Sequence, residues 1–413
     1  MKSKRLDSGL RRSQLPDEIL QDIFLRLPLK SLVNLIAVCK SWNSLIKTSA
    51  FIQAHRNRNQ HQNLLLTKVA SVKEPGKNVS HDRHLFYLHR DEPPFPVYRC
   101  YKQLTHPFES YNRLHATSAK DRLEITAYDE IQTCNGLVFL ASGLRFYSTT
   151  LLWNPCIRKS VTLPRLIDKR PSEVDRISYG FGYDLCPDDY KVLRIVMYKR
   201  NKPNTERKTS YEIWSLKRPS WRGLSVLPPV DDSDPRWRSP IFVRRAVHWV
   251  HHREGSRNRP IVSFDMSNEV FGEIMLPEVM RNKRRPMVIS RYGNCLEILQ
   301  WDDLGPLNSV DMWLMMEYGV VESWTKLVTV KLVPTSFERL GFRNNGDVVI
   351  RIRSRNNPNG VTEIKEYEQK LLSPVSVDMV DFSLGGFWEY LLVKPFEETL
   401  VLLDHPSAIS SSL

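Results

Sequence analysis

Histidines and acidic residues are the side chains of this chain whose spacing could support chemistry. His248, His251 and His252 lie close together, and His81 and His84 form a second group. Alternation along a strand would place His248 and His252 on one face, but no cysteine or carboxylate at a ligand-like spacing joins them. We therefore expect histidines on the surface or between structural repeats rather than a metal site.

Adjacent carboxylates occur at Asp188-Asp189 and at Asp302-Asp303. Both pairs stand in turn-like sequence, where aspartate is favoured because its side chain bonds to the local backbone. The sequence also lacks a Gly-rich phosphate loop, a GxSxG elbow and an HExxH helix. We therefore predict no catalytic residues, no metal and no cofactor, and we do not expect an enzyme.

The charge of the chain is basic and unevenly distributed. The 413 residues carry a formal net charge of +14, and about half of the excess lies in the first 58 residues. Such a balance suits nucleic acid or an acidic protein partner. The basic segments at 199–208 and 281–285 lack the interleaved aromatic residues of a single-strand groove, and no RNP or helix-turn-helix pattern is present. Direct nucleic-acid binding is therefore not expected.

The cysteines and the N-terminus bear on the cellular compartment. The six cysteines form no CxxC pair and no metal-like spacing, which favours reduced thiols. Residues 1–12 are basic and polar rather than a signal peptide, and no run of about 18 apolar residues occurs. We therefore expect a cytoplasmic or nuclear protein without a membrane partner. The clusters at 2–12 and 281–285 are either import signals or solvated turns.

The segment from Leu15 to Ile46 carries the strongest helical pattern. Pro16 suits a first helical position, and Asp17 and Glu18 face the positive end of the helix dipole. An apolar stripe follows at helical spacing, formed by Ile19, Leu20, Ile23, Phe24 and Leu27. Three helices in about 35 residues bury at best a marginal core. Part of this surface must therefore contact another protein or cap the following domain.

The same segment resembles the F-box. The resemblance rests on Leu15-Pro16-Asp17, Leu27-Pro28 and Val38-Cys39-Lys40-Ser41-Trp42 followed by Leu45-Ile46. In that family the helices bind a Skp-type adaptor, an acidic protein that joins them to a cullin and a RING protein in a ubiquitin ligase. The resemblance places the following residues at or directly behind the adaptor interface: Leu15, Pro16, Ile19, Leu27, Pro28, Leu32, Val38 and Trp42.

Beyond residue 59 the pattern predicts strands. Short apolar runs are separated by Gly, Pro, Asn and Asp, and the predicted strands are 64–69, 84–89, 136–141, 190–198, 245–251, 295–301 and 347–353. Their starting points recur at a spacing of about 50 residues from Gly136 onward. A strand with a large aromatic residue follows in most units, at Trp153, Trp214, Phe264 and Trp313.

This repeat predicts a β-propeller of about six irregular blades. The paired glycines of standard kelch repeats are missing apart from Gly385-Gly386. The segments 153–155, 179–184 with 189–192, 211–215 with 220–221, 246–249 and 261–265 instead resemble the F-box-associated interaction domain of plant F-box proteins, which is described as a kelch-like propeller. Residues 387–393 and 399–403 are expected to return to the first blade and close the ring. A pair of β-sandwiches without a repeat is the alternative.

The predicted organisation is a mainly β chain with a small α-helical N-terminal module. It comprises a basic flexible leader (1–12), a three-helix F-box (13–58), a kelch-like propeller (64–404) and a flexible tail (405–413). The resemblance implies a non-catalytic substrate-recognition subunit of a Skp-cullin-F-box ubiquitin ligase that captures a target protein.

Two other functions stay open at this point. One is a propeller enzyme that uses the helical module only as an anchor, and the other is an F-box protein that acts outside a cullin ligase. The target and its contact residues are unknown. The segments 199–210, 229–239 and 253–260 are either contact loops, because long insertions between strands commonly carry binding residues, or disordered spacers.

Overall fold

The structure of the protein is a computed structural model. It describes residues 15–58, 64–71, 84–91, 102–104, 130–141, 149–166, 173–199, 208–230, 240–251, 259–281, 287–302, 308–332, 336–343, 348–353, 367–372, 380–381 and 388–410. The leader predicted at 1–12 lies outside these residues.

Four helices form the N-terminal module: α1 (Asp17–Leu25), α2 (Leu29–Leu35), α3 (Lys40–Ile46) and α4 (Ser49–Arg58). Pro16 and Pro28 stand directly before α1 and α2, with φ of −52° and −58°. Their missing N–H groups cost no hydrogen bond there, while the Pro16 carbonyl accepts the backbone N–H of Leu20 at 3.0 Å. The three expected helices are therefore present, and α4 is a fourth.

Among the described residues after the module, the regular structure is β, apart from the single-turn helix α5 (Glu278–Arg281) and a 3₁₀ turn at Val321–Ser323. The strands are β1 (Leu64–Ser71), β2 (His84–Arg90), β3 (Lys102–Leu104), β4 (Glu130–Cys134), β5 (Leu137–Ala141), β6 (Leu151–Asn154), β7 (Lys159–Thr162), β8 (Val174–Asp184), β9 (Asp189–Tyr198), β10 (Thr209–Ser215), β11 (Trp221–Gly223), β12 (Ile241–Val243), β13 (Ala246–Val250), β14 (Ile261–Asp265), β15 (Val270–Ile274), β16 (Met287–Tyr292), β17 (Cys295–Asp302), β18 (Asn308–Met315), β19 (Trp324–Leu332), β20 (Ser336–Phe342), β21 (Val348–Arg353), β22 (Tyr367–Leu372), β23 (Val380–Asp381), β24 (Trp388–Phe396) and β25 (Ile409–Ser410).

These strands form five sheets, which are the blades of a propeller. Blade 1 has the order β25-β7-β6-β5-β4, and blades 2, 3 and 4 are the consecutive meanders β8 to β11, β12 to β15 and β16 to β19. The closing sheet has eight strands in the order β23-β22-β21-β20-β24-β1-β2-β3. The predicted mainly β propeller after a helical module is confirmed.

The expected count of about six blades is corrected to five. The closing sheet consists of two four-stranded groups joined by one parallel Cα pair, Gly341 with Val393. The buried ion pair between Arg343 Nε and Asp91 Oδ1, at 2.6 Å, also joins these groups. The repeating groups of strands were therefore predicted correctly, but two of these groups share one sheet.

Strand pairing between the chain ends closes the ring. The late strand β24 is antiparallel to β1, from Leu64 opposite Phe396 to Ser71 opposite Trp388. This confirms the return expected for residues 387–393 as far as they are described. The segment 399–403, expected to return with them, forms turns instead. Pairing of first and last strands removes two open edges that would otherwise be exposed to other chains.

Large side chains fill the interfaces between blades. The third strands of blades 1 to 4 hold the expected aromatic residues Trp153, Trp214, Phe264 and Trp313, each at most 9% exposed. Ring contacts span the interfaces from the closing sheet through blade 4, among them Phe86 with Trp153, Phe139 with Phe181, Tyr211 with Phe271 and His248 with Tyr318. One blade cannot bury both of its faces, so packing against its neighbours supplies the core.

Two glycines of β8 permit the close approach of blade 3. A Cβ at Gly182 would lie 2.5 Å from Cδ2 of Phe242, and one at Gly180 would lie 2.9 Å from Cγ1 of Val247. Contacts this short are sterically forbidden. The Tyr-Gly-Phe-Gly-Tyr-Asp segment noted in the sequence therefore has a packing role.

The antiparallel meanders give the propeller two distinct ends. Turns that join the first to the second and the third to the fourth strand of a blade lie at one end, because neighbouring strands are antiparallel. We call this the F-box end, because residues 156–157 and Asp188 of these turns contact the helical module. The strand ends that flank the longer connections 199–208, 224–240 and 251–260 lie at the opposite end, called here the loop end.

The C-terminal residues are ordered as far as they are described. The tail expected at 405–413 is not free, because β25 pairs with β7 through Ile409 opposite Ser160 and Ser410 opposite Lys159. In the described part of the chain, no helix has the length and apolar character needed to span a bilayer.

Candidate functional site: the helical docking surface and its junction with the propeller

Helix α1 presents a row of exposed apolar side chains. Leu15 is 54% exposed, Ile19 is 50% exposed and Ile23 is 42% exposed. Ile19 and Ile23 are four residues apart and lie on one side of the helix, and Leu15 and the exposed Pro16 stand directly before its first residue, Asp17. Exposed apolar side chains at regular helical spacing indicate a surface that another protein covers.

Further predicted docking residues lie in the turns of the module. Val38, in the turn between α2 and α3, is 59% exposed. Pro28, between α1 and α2, is exposed, and its neighbour Leu27 is half-buried. Leu15, Pro16, Ile19, Pro28 and Val38 are thus directly available to a partner.

Two predicted residues lie behind this surface. Leu32 is fully buried, and Trp42 is half-buried with its ring 5.1 Å from that of Phe24 in an edge-to-face arrangement. They support the docking surface from within, since a fully buried Leu32 has no area left for a partner. Ile23 was not among the residues predicted for the adaptor interface. Its spacing of four residues from Ile19 was the sequence signal that could have identified it.

A charge cluster connects α1 to α4. Asp22 accepts hydrogen bonds from Arg26 at 2.6 Å and from Arg58 at 3.1 Å. These bonds lower the pKa of the Asp22 carboxyl. The cluster is exposed, so its main effect is to orient α4 on α1.

The core of the helical module is shared with the propeller domain. Phe24, Leu29, Leu32, Ile46 and Phe51 form one buried cluster with two residues from the end of the chain, Leu400 and Leu403. Cys156 and Ile157, from the turn between β6 and β7, pack against this cluster. The apolar helical surface therefore does cap the following domain in part, and the row on α1 is what remains exposed.

Arg56 of α4 joins the module to blade 2. Its guanidinium donates a hydrogen bond of 2.8 Å to Tyr183 Oη and lies 4.4 Å from the centre of the same ring. The Tyr183 hydroxyl in turn donates to Asp188, whose carboxylate is 3.9 Å from Arg56. Burial, together with the hydrogen bond to the Asp188 carboxylate, raises the pKa of Tyr183 to about 12. Tyr183 therefore stays neutral and can both donate and accept.

Helix α4 also makes a contact within the module. His55 Nε2 lies 3.3 Å from the carbonyl oxygen of Leu27, and the His55 ring stacks on Phe51. Burial lowers the pKa of His55. A neutral imidazole that donates from Nε2 satisfies the carbonyl between α1 and α2.

The other groups that could support chemistry have structural roles where they are described. His248 is fully buried, with Nε2 2.7 Å from Tyr318 Oη in the next blade, and His251 is also buried. His252 and His81 lie outside the described residues, as does the side chain of His84. Among the described residues, no group of three or more His, Cys, Asp or Glu is arranged to hold a metal ion.

The adjacent carboxylates at Asp188 and Asp189 belong to the turn between β8 and β9. Asp188 adopts a positive φ of 62°, and Asp189 accepts hydrogen bonds from Ser215 Oγ and from the backbone N–H of Lys217, the latter at 3.1 Å. The prediction that these aspartates bond to their own turn is therefore wrong, because Asp189 binds the end of β10, 26 to 28 residues further along the chain. Of the second pair, Asp303 lies outside the described residues.

The described cysteines are free thiols: Cys39, Cys134, Cys156, Cys186 and Cys295. Burial raises the pKa of Cys134 to about 12, and burial together with Glu398 raises the pKa of Cys156. These two thiols are therefore kept protonated and unreactive.

The described strand ends that flank the three candidate target loops lie at the loop end of the propeller. Their central residues, 200–207, 231–239 and 252–258, are outside the described part of the chain. The described flanks show that the first connection extends the β9–β10 hairpin, because Tyr198 N–H donates to the carbonyl of Lys208 at 3.0 Å.

A small helical module fixed to one end of a propeller is the organisation of an F-box protein with an F-box associated propeller domain. The chain belongs to the family of the F-box associated beta propeller domain, which matches residues 97–378, and the F-box domain matches residues 12–53. The resemblance to plant F-box proteins is thereby confirmed. The propeller sheets extend beyond the matched range, from Leu64 in β1 to Phe396 in β24.

The chain is similar to F-box proteins of Arabidopsis thaliana. The F-box/kelch-repeat protein At3g23880 is 28% identical over 339 residues, which cover 81% of this chain and 84% of that protein. The F-box protein CPR1 is 29% identical over 350 residues, which cover 77% of this chain and 73% of that protein. F-box domains generally bind Skp-type adaptors, and F-box proteins are typically non-catalytic.

Proposed function

We propose that this protein is the substrate-recognition subunit of a Skp-cullin-F-box ubiquitin ligase. The F-box docks on a Skp-type adaptor, which connects it to the cullin and RING subunits, and the propeller captures a target protein for ubiquitination. The observation that carries the proposal is the exposed row of Leu15, Ile19 and Ile23 on a helix that is otherwise fixed to a propeller.

The energetics favour coverage of the α1 row by a partner. Leu15, Ile19 and Ile23 each leave about half of their surface in water. Burial of a full Leu or Ile side chain is worth roughly 1.5–3 kcal/mol, so covering three half-exposed chains contributes a few kcal/mol. Pro16, Pro28 and Val38 extend the same apolar surface into the turns.

Target capture is assigned to the loop end. The F-box occupies the opposite end through its contacts with residues 156–157 and Asp188. Long connections between propeller strands provide variable surfaces on a rigid support, which suits recognition of a protein. The segments 199–210, 229–239 and 253–260 all connect strands at this end, and they are the proposed contact region.

The proposed mechanism is proximity. A target lysine held near the ubiquitin-charged enzyme reacts at a raised effective concentration, and the covalent steps belong to other subunits. Skp-cullin-F-box complexes act in the cytoplasm and the nucleus, and the chain is assigned to these compartments.

Adaptor co-purification tests the docking surface. We expect the double variant Leu15→Ala with Pro16→Ala, and the single variant Ile19→Asp, to lose the adaptor while retaining the melting temperature of the wild type. Val279→Asp is the matched control, because Val279 is 53% exposed on α5 in the propeller and should leave adaptor binding unchanged. Adaptor binding that persists in Ile19→Asp and in the double variant would refute the docking proposal.

The cullin connection needs its own test. A complex purified through this chain with the proteasome inhibited should contain the cullin as well as the adaptor. A complex that holds adaptor without cullin would instead indicate an F-box protein acting outside the ligase.

A further inference from the structure

The segment that follows β24 contacts both domains. We call residues 397–405, from Glu397 to His405, the strap. Leu400 is 1% exposed and Leu403 is 8% exposed, and both belong to the core cluster of the helical module. Leu402, between them, is 3% exposed and packs in the cluster between blades 1 and 2. The strap therefore places its apolar side chains alternately in two different cores.

A strained backbone conformation at Leu402 lets neighbouring side chains of the strap point into different cores. Leu402 has a positive φ of 75°, which is unfavourable for a side chain other than glycine. Such a conformation persists only where the surrounding structure enforces it. Here it reverses the chain so that Leu400 and Leu403 face the helices while Leu402 faces the propeller.

Blade 1 holds the strap through its backbone. Asn154 Nδ2 donates to the carbonyl oxygens of Thr399 at 2.8 Å and Val401 at 2.7 Å, and Lys159 Nζ donates to that of Leu403 at 2.6 Å. Gly136 allows the strap to approach blade 1 closely, because a Cβ at this position would lie 2.5 Å from Thr399 Cγ2. The Trp-Asn-Pro segment of the sequence thus includes the residue that anchors the strap.

Two polar contacts fix the C-terminal end of the strap as well. Asp404 forms an ion pair with Lys47 of the helical module at 2.8 Å, and His405 Nε2 lies 3.1 Å from the carbonyl oxygen of Leu216 in blade 2. The strap is therefore bound to the helical module, to blade 1 and to blade 2 within nine residues.

We propose that the strap is an integral part of the adaptor-docking module, so that this F-box folds and is oriented only on its own propeller. The functional consequence is a fixed distance between the bound adaptor and the loop end. This consequence rests on the proposed function. A module of about 45 residues has a marginal core on its own. Leu400 and Leu403 supply the missing apolar partners from more than 340 residues further along the chain.

Hydrogen exchange in the full chain tests the proposal. We expect Leu400→Asp with Leu403→Asp to raise amide exchange in α2, α3 and α4 at least 10-fold, while the amides of blades 2 and 3 stay protected. Adaptor affinity should fall at least 10-fold. Ile409→Asp is the control, since Ile409 is 67% exposed just beyond the strap and should behave as wild type.

A milder variant covers the case in which the charged variant does not fold. Leu400→Ala with Leu403→Ala keeps the strap apolar and should raise exchange in α2 to α4 by a smaller factor, again without loss of protection in blades 2 and 3. Spin labels at the exposed positions Ser44 and Val279 should give a broader distance distribution in this variant than in the wild type.

Exchange in α2 to α4 within twofold of wild type in both variants would overturn the proposal. The exchange measurement does not depend on an adaptor. A wild-type chain that fails to bind the adaptor would therefore refute the proposed function while leaving the role of the strap to be decided by exchange.

Discussion

Arg56 donates a hydrogen bond of 2.8 Å to the phenolic oxygen of Tyr183 and covers the face of the same ring at 4.4 Å. One side chain of the helical module thus combines a charge-assisted hydrogen bond with a cation–π contact to the propeller. Arg56 is 6% exposed, so neither contact is screened strongly by water.

Replacement of Arg56 tests the strength of this junction. We expect Arg56→Ala to lower the free energy of unfolding by about 2 kcal/mol, because a buried charge-assisted bond and a cation–π contact are lost together. Tyr183→Phe keeps the ring and should cost about 1 kcal/mol. Urea denaturation of both variants measures the difference, and equal losses in the two variants would argue against the cation–π contribution.

Gly182→Ala tests the packing of blade 2 on blade 3. The added Cβ would lie 2.5 Å from the Phe242 ring, so the blades must separate or Phe242 must leave its rotamer. We expect a loss of about 1–3 kcal/mol in thermal or chemical denaturation. Gly223→Ala is the matched control in β11, since its Cβ would meet nothing within 4 Å. A similar stability of the two variants would contradict the close approach.

A buried ion pair links the same two blades. Lys191 Nζ lies 2.9 Å from Asp184 Oδ2 and 3.1 Å from Glu269, and Asp184 also accepts a hydrogen bond of 2.6 Å from Ser267 of blade 3. The Lys191 and Asp184 side chains are 9% and 1% exposed. Hydrogen bonds from Lys191 and Ser267 outweigh burial and lower the pKa of Asp184.

Lys191→Met should therefore destabilise the protein by about 3 kcal/mol, because it leaves the Asp184 carboxylate buried without its counter-charge. Arg222→Met, which removes the 60% exposed partner of Glu269, should cost at most about 0.5 kcal/mol. The double variant Lys191→Met with Asp184→Asn should recover part of the loss. Denaturation midpoints of the three variants check this order.

The strand pattern was predictable from the sequence because blades repeat a local arrangement. Predicted strands such as 190–198 and 295–301 coincide with β9 and β17 to within one residue at each end. The first strand of blades 1 to 4 was not recognised, so the predicted units of these blades begin at the second strand. In blade 3 that first strand, β12, has only three residues, which is too short for a periodic signal.

Local sequence patterns did not predict how the side chains of the strap divide between two cores. The run Thr399 to Leu403 reads as a strand because it is apolar, yet its side chains divide between two cores. That division depends on residues 156–157 and on helices at the other end of the chain. Similarly, sequence spacing alone did not show that Leu32 faces inward while Ile23 faces outward, since the helix phase depends on which side the propeller covers.

Buried histidines give the propeller a defined dependence on pH. Burial lowers the pKa of His248 to about 4, from an ordinary value of 6.5, and lowers that of His89 to about 3. In the unfolded chain both imidazoles take up a proton near pH 6.5, whereas in the folded protein they stay neutral to much lower pH. Their contribution to stability is therefore complete above pH 6.5 and is lost as the pH falls toward the folded values.

For His248 alone this linkage predicts a loss of about 2 kcal/mol in the free energy of unfolding between pH 7 and pH 5. His248→Gln keeps a side chain that can bond to Tyr318 Oη but does not titrate, so its stability should fall less over the same interval. Urea denaturation at pH 7, 6 and 5 gives the two slopes, and the difference between them isolates His248 from His89 and from carboxylates that titrate below pH 5. Parallel slopes for the two proteins would show that His248 is already protonated in the folded state or exposed to water.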